Sequence, residues 1–195
     1  MSAIIRDIRD TSVQLPESLV IDTSLLLELV PLDPPHSFHT IAINFLNRLR
    51  KDAHLGQVIP LIPYLVLEEF YFKICQKYLV SLANQSGIRW NEYYKQNPES
   101  IDRIHPTLVK HYQMLQAFPM VIIEPEDLFV SPTASMPSVA DCMTDYIGQF
   151  RILPKDATIL SEAKRLGIFN IATLDKDYER ADGFTVFLPI SKLAS

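Results

Sequence analysis

Apolar residues along this chain follow two patterns that take turns. Short apolar runs predict strands, whereas apolar residues that recur every four positions, such as Ile41, Phe45 and Leu49, predict amphipathic helices. Because the two patterns alternate, we predict an α/β fold with a mainly parallel sheet. The predicted strands are residues 18–22, 57–62, 120–124, 168–173 and 184–190, and the predicted helices are residues 39–53, 63–84, 107–118, 138–150 and 155–167.

The middle of the chain departs from this alternation. Residues from about 84 to 106 are polar and aromatic and only weakly periodic, so we interpret residues 81–118 as a helical insertion or lid within a single domain of residues 1–195. The stretch IRWNEYYK, with Arg89, Trp90 and Tyr93, has residue types that stack on unpaired nucleic-acid bases. The alternative is that these aromatic residues pack a lid or a dimer interface.

Composition and charge are those of a globular protein that is mildly acidic. The 195 residues are 48% hydrophobic and 21% charged, and the net charge of −5 works against simple attraction to a phosphate backbone. No apolar run reaches the roughly 20 residues of a membrane helix, and the first residues lack a signal-like apolar core. Cys75 and Cys142 are too few for a disulfide framework or a zinc site. We therefore expect a soluble cytoplasmic protein with free thiols and no membrane association.

Acidic residues recur where predicted strands end and predicted helices begin. In a right-handed β-α-β unit these positions share one edge of the sheet, which is where open α/β sheets generally bind ligands. About twelve helical residues return roughly the distance that five or six strand residues cover, so Asp156 and Asp175 are expected to meet at that edge. The acids that we place there are Asp22, Glu68, Glu69, Asp156, Asp175 and Asp177.

Several carboxylates at one edge have an electrostatic consequence. Two unit charges ~4 Å apart repel by about 4 kcal/mol at an effective dielectric constant near 20, so such a cluster takes up protons or holds a cation. Oxygen ligands favour Mg²⁺ or Mn²⁺, and either ion would supply the positive centre that an acidic protein needs to attack a phosphodiester. The predicted chemistry is metal-assisted phosphodiester hydrolysis.

Three stretches of the sequence also resemble a known family. LVIDTSLLLEL, IPYLVLEEFYF and LPKDATILSEAKRLGIFNIATLDKDYERADGFTVF are similar to successive motifs of PIN-domain ribonucleases, which include the toxin nucleases of bacterial toxin–antitoxin pairs. The resemblance implies a three-layer α/β/α sandwich, a Mg²⁺ or Mn²⁺ site of three or four acids, and endonucleolytic cleavage of RNA. It also implies an antitoxin protein and a homodimer as partners. The segment 81–118 is longer than compact toxin members carry.

Residues of the family motifs can be matched one by one. The acids implied to bind metal and to act in catalysis are Asp22, Glu69, Asp156 and Asp175, and Asp177 would contribute to metal binding through water. Thr23 and Thr173 match small hydroxyl residues beside the first and fourth acids, where they would orient a ligand or the scissile phosphate. These roles are carried over from the resemblance.

Simpler roles are open for several of these acids. Asp22 is also placed for a turn or a helix N-cap, Asp156 for a helix cap, and Asp177 for a surface turn. Of Glu68 and Glu69, only one is expected to point into the site, and the following apolar residue favours Glu69.

Two other functions compete with a PIN-type nuclease. A haloacid-dehalogenase-type phosphohydrolase would use the same edge, but it requires Asp-x-Asp after the first strand, and IDTSLL lacks the second acid. A PIN-like scaffold that binds RNA or protein without cleaving is the rival from a different class. Metal-dependent cleavage of RNA distinguishes the nuclease from the scaffold.

Overall fold

Short, mostly apolar segments form one parallel sheet. In this computed structural model, which describes residues 2–30, 37–128 and 137–190, the sheet has six strands, all of them paired in parallel. The predicted α/β fold with a parallel sheet is therefore confirmed. The strands are β1 (Ile4–Asp7), β2 (Ser18–Ile21), β3 (Ile59–Pro63), β4 (Val121–Ile123), β5 (Asn170–Ala172) and β6 (Thr185–Leu188).

The strand order contains one reversal of direction. Across the sheet the order is β1-β6-β5-β2-β3-β4, so the chain first builds outward from β2 to β4 and then returns to the other side of β2 with β5. The carboxyl ends of β2 and β5 therefore flank a topological switch point, which is where α/β sheets form a crevice. Leu19, Val20 and Ile21 of the central strand β2 are fully buried, as expected when both faces of a sheet are covered.

Helices alternate with the strands along the described part of the chain. They are α1 (Thr23–Leu26), α2 (His39–His54), α3 (Tyr64–Ser86), α4 (Trp90–Gln96), α5 (Ser100–Gln116), α6 (Val139–Phe150) and α7 (Pro154–Arg165). Because parallel connections are right-handed, the reversal at β2 places α2 on one face and α6 and α7 on the other. Both α2 and α7 contact β3, and α6 packs along α7. The predicted three-layer α/β/α arrangement is confirmed.

The chain divides into two compact units. One unit consists of Met1–Val66 with Pro119–Ser195 and contains the whole sheet, and the other is Leu67–Phe118, which contains most of α3 with α4 and α5. The second unit ends at the residue where the predicted insertion ends, but it begins fourteen positions earlier than residue 81. A single domain with an insertion at 81–118 stays a prediction.

Three details of the secondary structure differ from the prediction. The edge strand β1 was not predicted, because its four residues alternate between exposed and half-buried positions and lack an apolar run. Pro63 ends β3 instead of starting a helix, and α3 begins at Tyr64. The helix predicted from residue 107 begins at Ser100 and continues through Pro106. Within the described ranges, none of the helices combines the length and the apolar character needed to cross a bilayer.

Candidate metal-dependent active site

Asp22 lies directly after the central strand β2 and is buried, with 5% of its surface exposed. Its carboxylate caps α1: Oδ2 accepts hydrogen bonds from the Ser24 amide at 3.2 Å, the Ser24 hydroxyl at 2.6 Å and the Thr173 hydroxyl at 2.8 Å. Burial raises the pKa of Asp22, although the hydrogen bonds from Ser24 and Thr173 oppose that shift. The N-cap role left open by the sequence is real, but it does not explain a buried carboxylate on a four-residue helix.

Thr173 ties the ends of β2 and β5 together. It follows the last residue of β5, is fully buried, and donates its hydroxyl to Asp22 while accepting the Asp175 amide at 2.9 Å. A second bridge runs beside it, because the Leu174 amide donates to the Ser24 hydroxyl at 2.9 Å. These bonds join the segments that follow β2 and β5 across the switch point, where open α/β sheets generally bind ligands, and so place the first and fourth predicted acids in neighbouring segments.

Asp156 lies in the first turn of α7. Leu153 is the N-cap of α7 and Pro154 its first residue, a position that suits proline because its missing N–H would have no helical partner. Asp156 is therefore the third helical residue, and the N-cap role considered for it from the sequence is wrong. The Tyr178 hydroxyl donates to Asp156 Oδ1 at 3.4 Å.

Tyr178 is a buried residue that hydrogen-bonds one of the predicted acids, Asp156. The tyrosine side chain is fully buried, and its pKa lies well above the ordinary value because of burial first and then the negative charges of Asp22, Asp156 and Asp175. The contact that the structure shows for this hydroxyl is its hydrogen bond to Asp156, and the charges of Asp22 and Asp175 act on it from a distance. The role of the three acids as metal ligands stays a prediction.

Asp175 and Asp177 lie in the turn after β5, and neither is buried. Asp175 is exposed and caps the 3₁₀ helix Lys176–Arg180, accepting the Asp177 amide at 2.8 Å. Asp177 forms an ion pair with Arg180 at 2.7 Å on the surface of the same helix, which agrees with the surface-turn alternative. Its water-mediated metal role stays a prediction.

The helical glutamates belong to the second unit. Glu68 is exposed on α3 and Glu69 is half-buried. The choice of Glu69 over Glu68 stays a prediction. Participation of Glu69 in the site stays a prediction that rests on the motif.

Two site residues were missed by the sequence reasoning. Ser24 supplies the hydroxyl beside Asp22, whereas the hydroxyl of the predicted Thr23 donates to the Val66 carbonyl at 3.4 Å. Tyr178 was overlooked because it stands inside the charged stretch DKDYERAD, which suggests an exposed turn. The signal that could have found it is the single aromatic residue between acids and bases. A buried tyrosine three residues after a strand-end aspartate indicates that the turn folds back onto the sheet.

The predicted acids have the ligand type that a hard divalent cation prefers, but they are not close enough together to coordinate one. Carboxylate oxygens are the ligands that Mg²⁺ and Mn²⁺ prefer, and the buried Asp22 carboxylate would regain its lost solvation from a cation. In the described part of the chain, however, no three acidic, imidazole or thiol side chains are grouped closely enough to hold an ion. Binding one would require the predicted acids to come closer together than they are in this structure.

Replacing Thr173 with valine is expected to loosen the crevice. The methyl group keeps the volume, but Asp22 and the Asp175 amide both lose a partner, so we expect a loss of roughly 1–3 kcal/mol in the free energy of unfolding. Urea unfolding measures this loss. Thr173→Ser keeps the hydroxyl and serves as the control. Equal stability of the serine and valine variants would contradict the bridging role.

The fold and the acids define an α/β protein in which Asp22 and Asp175 follow the two strands that flank the switch point of a parallel sheet. No protein-family model and no curated protein matched the chain. It is similar to the structure of FitAB bound to an IR36 DNA fragment, with 15% identity, a TM-score of 0.49, and coverage of 88% of this chain and 94% of that one. It is also similar to the crystal structure of FitAcB from Neisseria gonorrhoeae, with 18% identity, a TM-score of 0.45, and coverage of 88% and 97%.

Proposed function

We propose that this protein is a Mg²⁺- or Mn²⁺-dependent endoribonuclease that acts at the crevice between the carboxyl ends of β2 and β5. The observation that carries the proposal is the placement of three acids at one edge of the sheet: Thr173 hydrogen-bonds the Asp22 carboxylate and the Asp175 amide, and Tyr178 hydrogen-bonds Asp156. Carboxylates that share one edge repel one another unless a positive charge compensates them, and structural roles alone do not require all three. RNA as the substrate follows from the resemblance to PIN-domain ribonucleases.

The proposal gives each side chain a defined task. Asp22, Asp156 and Asp175 would hold the ion, which would lower the pKa of a bound water and stabilise the charge that develops at phosphorus. Glu69 is the fourth acid that the resemblance to PIN-domain ribonucleases implies. Ser24 and Thr173 fix the orientation of the Asp22 carboxylate through three hydrogen bonds to Oδ2. Tyr178 is fully buried, and its hydroxyl donates to Asp156, which restrains the orientation of that carboxylate.

A cleavage assay tests this function directly. The full chain is incubated with end-labelled single-stranded RNA in Mn²⁺, in Mg²⁺ or in chelator, and internal cleavage is expected with either ion and not with chelator. Asp156→Asn is expected to lower the rate by ~100-fold or more, because a lost ligand acts on the transition state. Asp145→Asn, an exposed aspartate on α6, is the matched control and should cleave normally.

The non-cleaving scaffold is the alternative that the same assay tests. Binding of RNA in chelator with no cleavage in any divalent ion would contradict the nuclease and favour the scaffold. A toxin role, an antitoxin protein and a homodimer are further parts of the proposal that rest on the resemblance. Co-purification with the product of a neighbouring reading frame, and the mass of the purified protein in solution, test those parts.

A further inference from the structure

The second unit carries an open pocket of about 700 Å³ where α3 ends and α4 begins. Its volume is within the range of sites that hold small organic ligands. Gly87 makes the pocket possible, because its left-handed backbone (φ +68°) ends α3 and lets the chain turn into α4. Side chains from both sides of this turn line the pocket, among them Val80, Asn84, Arg89, Trp90 and Asn91.

These side chains present the groups that recognise an unpaired nucleotide. The half-buried indole of Trp90 packs edge-on against Phe72, with 6.0 Å between ring centroids and 78° between ring planes, which restrains the orientation of the indole. Asn84 and Asn91 are exposed. The Asn84 amide offers donors and an acceptor for a base edge, whereas Asn91 Oδ1 already accepts the Glu92 amide at 3.0 Å, so Asn91 offers its NH₂ group as the donor. The exposed Arg89 guanidinium matches the geometry of a phosphate.

Charge separates this unit from the rest of the chain. Residues 67–118 carry six Lys and Arg against five Asp and Glu, whereas the remaining residues carry twelve against eighteen. Since phosphate repulsion is strongest where acids are in excess, the second unit is the part of the chain on which a polyanion meets the least opposition.

We propose that this pocket binds an unpaired base of single-stranded RNA, with the base stacked on Trp90 and its phosphate bound by Arg89. The proposal builds on the proposed function, because it names the substrate class of that nuclease as single-stranded RNA. A base within a duplex is stacked on both faces and cannot lay one face on Trp90. The pocket therefore selects unpaired RNA over duplex RNA.

Trp90 is itself a reporter of the pocket, because it is the only tryptophan in the sequence. Titration of the full chain in chelator with an unstructured RNA oligonucleotide is expected to quench the tryptophan fluorescence with saturation. The same strand annealed to its complement is expected to quench at least about tenfold less effectively, because its bases are stacked. Equal quenching by both forms, or none by either, would overturn the proposal.

Variants separate stacking from general attraction. Binding of dye-labelled RNA, followed by fluorescence anisotropy, is expected to weaken by about tenfold in Trp90→Ala and to recover largely in Trp90→Phe, which keeps an aromatic face. Arg89→Gln is expected to weaken binding severalfold. The matched control is Arg103→Gln, an exposed arginine on α5 that does not line the pocket. A similar loss in both arginine variants would overturn the pocket as the site.

Failure of this proposal is distinguishable from failure of the nuclease. Asp22→Asn is expected to stop cleavage and to leave the Trp90 quenching unchanged. Cleavage of RNA without saturable quenching would overturn the pocket and leave the nuclease standing. Selective quenching by single strands without cleavage in any divalent ion would support the pocket and overturn the nuclease.

Discussion

Asp22→Asn is expected to abolish metal-dependent RNA cleavage and to leave the protein more stable than the wild type near pH 8. Asparagine keeps the shape and can still accept the hydrogen bonds of Ser24 and Thr173, but it removes a charge whose pKa is raised by burial. Loss of that charge relieves the desolvation penalty in the folded state, whereas loss of a proposed metal ligand is expected to lower the cleavage rate by ~100-fold or more. Activity and stability should therefore change in opposite directions.

The test combines cleavage assays in Mn²⁺ with urea unfolding at pH 8, both on the purified full chain. Asp145→Asn is the control for removing an exposed negative charge and is expected to change neither quantity appreciably. An Asp22→Asn protein that cleaves RNA at the wild-type rate would exclude this carboxylate from the reaction. A strongly destabilised one would show that the charge stabilises the fold, as a purely structural N-cap would.

The edge that carries the site was predictable from the sequence because periodicity determines topology. Alternating strands and helices require a parallel sheet, and a parallel sheet brings strand ends and helix starts to one side. Asp22 after β2, Asp156 at the start of α7 and Asp175 after β5 are all placed by that rule. The strand order that sets β5 beside β2 was not predictable from local pattern, since pairing depends on long-range packing.

The contacts that join the segments carrying the acids could not be predicted from local sequence pattern. Ser24, Thr173 and Tyr178 act through contacts between segments about 150 residues apart or through burial, and no local spacing encodes either property. The edge strand β1 was missed because an edge needs no continuous apolar run. The first turns of α5 were missed because polar residues up to Pro106 carry little helical periodicity.

The buried carboxyl of Glu162 is expected to make the free energy of unfolding depend strongly on pH. This α7 residue is 8% exposed, and its Oε2 has no hydrogen-bond partner among the described residues. Burial raises its pKa from 4.5 to about 7. The folded protein therefore keeps the Glu162 proton at pH values where the unfolded chain has lost it. The stabilisation from this bound proton is fully present below pH 4.5 and is lost as the pH rises through about 7. The loss is on the order of 3 kcal/mol in the free energy of unfolding.

Glu162→Gln is expected to remove that part of the pH dependence and to raise the free energy of unfolding at pH 8 by roughly 1–2 kcal/mol, because the neutral amide is cheaper to bury but brings unpaired donors. Urea unfolding of wild type and variant at pH 4, 6 and 8 measures the difference, in which contributions from Asp22 cancel. Glu179→Gln, at an exposed glutamate, is the control and should follow the wild-type profile. Parallel profiles for wild type and Glu162→Gln would mean that the Glu162 carboxyl titrates alike in the folded and unfolded protein, and that a cation or water compensates it inside the fold.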